Sequence, residues 1–115
     1  MLIYLVQPDD AIARELQASC EDSGYHARRV NDADPDAVRA LGDDRPDAVL
    51  VSLDGDADAT LDLVVELAQR RRLRGVPLVF CGGTQDALNR AQEQYPRASF
   101  ARRDVLMNVL ASLRS

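Results

Sequence analysis

The stretch Pro46-Asp47-Ala48-Val49-Leu50-Val51-Ser52-Leu53-Asp54 decides the fold. An aliphatic run stands between a Pro-Asp turn and an acidic, glycine-containing loop. A short apolar run punctuated at both ends reads as a strand buried on both faces, as in a parallel sheet. Its place near the middle of the 115 residues makes it a central strand. In an open α/β sheet, ligands and chemistry gather just beyond the carboxyl ends of the strands. For this strand that point is Ser52-Leu53-Asp54.

Working outward, the same alternation of buried strand and amphipathic helix recurs. Leu2-Ile3-Tyr4-Leu5-Val6 is a continuous apolar strand, and Gln7-Pro8-Asp9-Asp10 opens a helix with acids in its first turn, where the dipole favours them. Ile12, Leu16 and Cys20 recur at helical spacing, and Gly24 suits the position after a helix end. Tyr25 to Val30 is a more polar strand, expected at an edge, and Asp34-Pro35 starts a helix that turns Val38 and Leu41 inward. After the central strand, a loop from Asp54 to Ala59 leads to a helix over 60–72, then to the strand Val76-Pro77-Leu78-Val79-Phe80-Cys81. Gly82-Gly83 turns the chain, and Thr84 caps a helix carrying Leu88, Ala91 and Tyr95. A short strand at 98–101 precedes a final helix, capped by Asp104, with Leu106, Val109, Leu110 and Leu113 on one face. Strands are expected at 2–6, 25–30, 48–53, 77–81 and 98–101. Five β-α units imply a parallel sheet covered on both sides.

Composition narrows the function classes. The length suits one domain over 1–115, and 46% hydrophobic with 29% charged residues is ordinary for a globular chain. A net charge of −5 argues against direct nucleic-acid binding. All 14 basic residues are arginine, which removes Schiff-base lysines and the lysine of a P-loop. Cys20 and Cys81 sit among apolar residues and read as core thiols; His26 has no metal-ligand spacing to a partner and reads as a surface residue. The opening MLIYLVQPDD is too short and too soon acidic for a signal peptide, and no apolar run approaches about 18 residues. The expectation is a cytoplasmic protein without membrane or cofactor.

The landmarks together resemble the response-regulator receiver domain, the CheY-like family of two-component signalling. They are the helix ending in Gly24-Tyr25, Pro46-Asp47 before one strand, Val76-Pro77 before another, and the spacing from Gln7 to Gly24 to Ser52 to Gly82. The resemblance spans the whole chain. It implies a flavodoxin-like three-layer α/β/α sandwich whose five-stranded parallel sheet has the order 2-1-3-4-5. It also implies chemistry: an aspartate after the third strand takes a phosphoryl group, an acidic pair after the first holds Mg²⁺, and a hydroxyl and a lysine contact the phosphoryl oxygens.

The residues at those positions differ. The acidic pair matches Gln7 and Pro8, leaving Asp9 beside them; the acceptor matches Ser52; the hydroxyl position matches Gly82. The lysine position falls at Arg103, or Arg102 with a one-residue shift, while the aromatic of the last strand is kept as Phe100. A serine hydroxyl is not ionised near neutrality and cannot form an acyl phosphate. The resemblance is therefore to a degenerate receiver, with no metal site and no catalytic residue.

Three further features carry alternatives. Asp54-Gly55-Asp56-Ala57-Asp58 begins like a calcium loop, but Ala59 and Val65 stand where glycine and the bidentate glutamate belong, so it reads as a solvated acidic loop. Asp54 could serve as an atypical phosphoacceptor, and Gly82-Gly83 could approach a nucleotide or another anion. Arg70-Arg71-Arg72-Leu73-Arg74 reads as a favourable helix C-terminus, with a contact for an acidic partner as the alternative. The preferred reading is a phosphorylation-independent protein-interaction module, not an enzyme. The family's usual contact face is the fourth helix, fifth strand and fifth helix. Here that face offers Leu88, Ala91, Gln92, Tyr95, Phe100, Met107 and Ala111 to a partner or to a second copy.

Overall fold

The computed structural model describes residues 1–30 and 45–113. Within them run β1 (Leu2–Val6), α1 (Asp10–Asp22), β2 (His26–Val30), β3 (Ala48–Ser52), α2 (Ala57–Ala68), β4 (Leu78–Cys81), α3 (Gln85–Gln94), β5 (Ser99–Ala101) and α4 (Leu106–Ser112). The strands form one sheet in the order β2-β1-β3-β4-β5, and every neighbouring pair is parallel. The helix expected from Asp34-Pro35, with Val38 and Leu41, lies outside the described residues.

Strand alternation explains the layers. Tyr4, Val6, Val49, Val51 and Phe80 point to one face, where Leu61, Val64 and Leu67 of α2 and Ala87 and Ala91 of α3 cover them. Ile3, Leu5, Leu50, Val79 and Cys81 point to the other, under Ala13, Leu16 and Cys20 of α1 and Leu106 and Leu110 of α4. Both faces being covered is why the central strands are unbroken apolar runs. The Phe80 ring stacks with two others on its face, its centroid 5.7 Å from that of Tyr95 and 5.3 Å from that of Phe100.

Helix starts follow side-chain caps. Asp9 accepts from the Ala11 and Ile12 N–H groups, and Thr84 from that of Ala87. After α1, Gly24 turns the chain at φ +87°, a conformation that favours glycine.

Three expected details are corrected. α2 begins at Ala57, not Thr60, because Asp56 accepts the Ala59 N–H and the Thr60 hydroxyl donates to the Asp56 carbonyl inside the first turn. α2 also ends at Ala68, so the arginine run does not decorate its last turn. Instead Arg71–Leu73 is a separate tight turn that drives Leu73 into the core. Asp104 caps nothing; it lies in the turn Arg103–Val105 and pairs with Arg102 at 3.3 Å.

Both cysteines are free and wholly buried. Burial pushes the Cys20 thiol up to about 11 and the Cys81 thiol up to about 12, the latter helped by the nearby Asp54 charge. Unfolding returns Cys81 to its ordinary value of 9.0. Above that pH the unfolded chain holds fewer protons than the folded one, so stability falls from pH 9 towards pH 12. The slope from Cys81 is about 1.4 kcal/mol per pH unit. Urea unfolding across this range should show a shallower fall in Cys81→Ala; an equal fall would assign the slope to other groups.

Candidate functional site

Val6 pairs with Val51, so the residues that follow β1 and β3 emerge side by side. Gln7 and Ser52 are both wholly buried there. The Gln7 amide Nε2 donates to the Ser52 hydroxyl at 2.9 Å, to the Asp54 carbonyl at 2.9 Å and to the Ser52 carbonyl at 3.3 Å. Its Oε1 accepts from the Asp9 N–H at 2.9 Å, which fixes the orientation of the amide. Arg29 of β2 closes the back of this bend. Its Nε donates to the Gln7 carbonyl at 3.1 Å, its terminal nitrogens to the Pro8 carbonyl at 2.8 Å and to the Asp10 carboxylate. That hydrogen bond from Arg29, then its charge, holds the Asp10 carboxyl below the usual range.

Asp54 closes the other side. Its Oδ1 accepts from the Gly83 N–H at 2.8 Å, and its Oδ2 lies 3.8 Å from Arg103, which also pairs with Glu15 of α1 at 3.0 Å. The carboxylate rests on Gly82: a Cβ there would stand 2.5 Å from Asp54 Oδ2. A Cβ on Gly83 would stand 2.6 Å from the Leu53 Cβ. Both glycines have positive φ, +69° and +83°. The chain after β4 is thus pressed against Leu53 and Asp54, with no room for side chains.

The structure therefore gathers Gln7, Ser52, Asp54, Gly82 and Arg103 at the carboxyl edge of the sheet. Pro8 is exposed, and Asp9 turns away to cap α1. Arg102 pairs with Asp104 instead of entering the site. The donor set does not fit a magnesium ion, which takes oxygen ligands and at least one carboxylate. The Gln7 NH₂ group fills the space between β1 and β3 with donors, and Asp54 is directed onto Gly83. Among the described residues no three His, Cys, Asp or Glu side chains converge as metal ligands. The Gly83 N–H, a candidate anion contact, is occupied by the Asp54 carboxylate.

Sequence reasoning missed Arg29, whose role depends on which edge strand lies beside β1; a long side chain on a polar edge strand carries no such signal. It also missed that Gln7 is a tie and not merely a replaced acid.

On the expected contact face, Gln92 and Ala111 are exposed, and Leu88, Tyr95, Phe100 and Met107 are partly buried. Ala91 is a correction: it is wholly buried in the core beneath α3, so it offers nothing to a partner.

Comparison with solved structures rests on this geometry. The receiver domain of a sensor histidine kinase from Pseudomonas aeruginosa PAO1, solved with magnesium in its active-site cleft, superposes with TM-score 0.66 at 22% identity, over 99% of this chain and 98% of that one. A CheY-like response-regulator receiver domain from Methylobacillus flagellatus gives 0.72 at 22% identity, over 98% of each chain. This chain has the receiver fold. A sensor protein from Polaromonas sp. JS666 gives 0.69 at 22% identity, over 98% of this chain and 92% of that one. No family model matches the sequence, and no curated protein matches it. Among the described residues no helix of this receiver fold is long and apolar enough to cross a membrane.

Proposed function

We propose that the chain is a receiver-like module of two-component-type signal transduction that works by protein contact and independently of phosphorylation. One observation carries the reading. The neutral amide of Gln7, bonded to Ser52 and Asp54, stands where a phosphate-accepting site would need a cluster of carboxylates around a cation. Asp54 supports it, because its carboxylate is already held by Gly83 and faced by Arg103. The solved receivers of like fold support the signalling setting.

Incubation with acetyl phosphate and millimolar Mg²⁺, followed by intact mass measurement, tests the reading. The expected mass is unchanged. A phosphoryl adduct removed by hydroxylamine, and absent in Asp54→Asn, would instead make this a phosphorylated switch with an unusual acceptor.

The contact face assigned to the module is that of α3, β5 and α4, through Leu88, Gln92, Tyr95, Phe100, Met107 and Ala111. Light scattering of Met107→Glu and Ala111→Glu should show weaker assembly with a partner or a second copy. Because Met107 is partly buried and Ala111 exposed, Ala111→Glu should do so without loss of stability. Unchanged assembly in both would place the surface elsewhere.

A further inference from the structure

The end of the sheet opposite the carboxyl edge carries two adjoining hollows. One, of about 270 Å³, lies between the end of α2, the turn Arg71–Leu73 and the start of β4, and is floored by Val49, Val64 and Leu67. The other, of about 540 Å³, lies between the start of β4 and the segment 94–98 that leads into β5. Gly75, Val76, Leu78 and Tyr95 wall both, so they form one continuous apolar cleft.

Its charge is one-sided. Among the described residues no carboxylate lines either hollow; the charged residues that do are Arg74 and Arg97. Both are exposed, and neither guanidinium has an ion-pair partner among the described residues. Arg45 adds a third cation at the rim, donating to the Arg74 carbonyl beside Gly75. In a chain of net charge −5, this is a local positive rim around an apolar floor. Asp9, Asp10, Asp54, Asp56 and Asp58 lie beyond the opposite, carboxyl ends of the strands, whereas Asp47, just before β3, lines an adjoining hollow with Arg45 and Gly75 and accepts from the Leu2 N–H.

We propose that this cleft docks an acidic peptide segment of a partner protein. One large apolar side chain of the segment enters the hollow, and flanking carboxylates meet Arg74 and Arg97. The smaller hollow alone has room for a leucine or phenylalanine side chain. An apolar anchor in a pocket with charge complementarity at the rim is the arrangement that gives a short segment both affinity and register. Three guanidinium groups around an apolar cleft do not form the track of several phosphate contacts that nucleic acid requires. The proposal goes beyond the reading of the carboxyl edge, and its failure would leave that reading untouched.

The test is a titration of isotope-labelled protein with a synthetic peptide that has one phenylalanine between runs of glutamate. Backbone resonances of Gly75, Val76, Leu78, Tyr95 and Arg97 should shift together. Affinity should fall about tenfold when alanine replaces the phenylalanine of the peptide, and by a similar factor in the double variant Arg74→Glu/Arg97→Glu. The variant should keep the wild-type unfolding midpoint, and added salt should weaken the wild-type complex. Four results would overturn the proposal: shifts confined to other surfaces, equal binding of a lysine-flanked peptide, undiminished affinity in the double variant, or a cleft closed by a second copy of the chain before peptide is added.

Discussion

Gln7→Ala is expected to lower the free energy of unfolding by about 3 kcal/mol, since a buried polar group stripped of its partner costs about 1 to 3 kcal/mol. The substitution removes one amide and leaves several groups without it: the Ser52 hydroxyl, the Asp54 carbonyl and the Asp9 N–H. Water reaching the gap would recover part of the loss. Gln7→Glu separates a polar tie from simple space-filling. Its shape is conserved, but at neutral pH it sets a buried anion against the Ser52 and Asp54 carbonyl oxygens, a repulsion that a bond from the Ser52 hydroxyl offsets only in part, so it should be at least as damaging as alanine. The buried carboxyl titrates above its unfolded value, so stability should be regained as pH falls and the group takes up a proton. Urea unfolding at pH 7 and pH 5 measures both variants. If Gln7→Ala stays within about 0.5 kcal/mol of the wild type, the amide does not hold the carboxyl edge together.

Phe80→Ala is expected to cost about 4 kcal/mol, in the range for truncating a buried aromatic ring. The ring, on β4 beside the edge strand β5, is wholly buried and stacks against both Tyr95 and Phe100. Its removal leaves a cavity between β4, β5 and α3 that rigid strands cannot close. For a chain of 115 residues the melting temperature should drop by about 15 °C. Phe80→Leu, which retains most of the volume, should lose about 1.5 kcal/mol or less. A small effect of the alanine variant, measured by thermal and urea unfolding together, would mean that Tyr95 and Phe100 collapse into the gap.

Both expectations concern residues that the sequence reveals unequally. Phe80 is legible because it lies in an uninterrupted apolar run after Val76-Pro77, and such a run has few alternatives to a buried strand. The parallel sheet and its five strands followed from the same logic. Small residues are harder. Ala87 and Ala91 carry little hydrophobic signal, so the sequence groups Leu88, Ala91 and Tyr95 on the contact face, whereas α3 buries Ala87 and Ala91. The start of α2 was misplaced because aspartates crowd residues 54–58, and only the geometry selects Asp56 as the cap. At the site, the identities of Gln7, Ser52, Gly82 and Arg103 could be read in order along the chain. Their partners could not. Whether Asp54 faces solvent, a cation or Gly83 depends on how β4 turns after Cys81, and that turn is set by close packing on Leu53.

The contact between Asp54 and Gly82 has a consequence for how reversible this arrangement is. A hydroxyl-bearing residue at 82 and the present position of the Asp54 carboxylate exclude one another, because the first atom of any side chain would overlap the carboxylate. Introducing an acidic residue at 7 or 52 alone would place a charge in a buried neutral network whose neighbouring guanidinium groups are already engaged, Arg29 with Asp10 and Arg103 with Glu15 and Asp54. A single step at 7, 52 or 82 towards a phosphate-accepting site therefore lowers stability before it can confer any chemistry. Such a site would need several concerted substitutions, at 7, 8, 52 and 82 together, with Asp54 free to swing away. The edge therefore resists acquiring such chemistry one residue at a time, because the first change at 7, 52 or 82 costs stability before any phosphate contact exists.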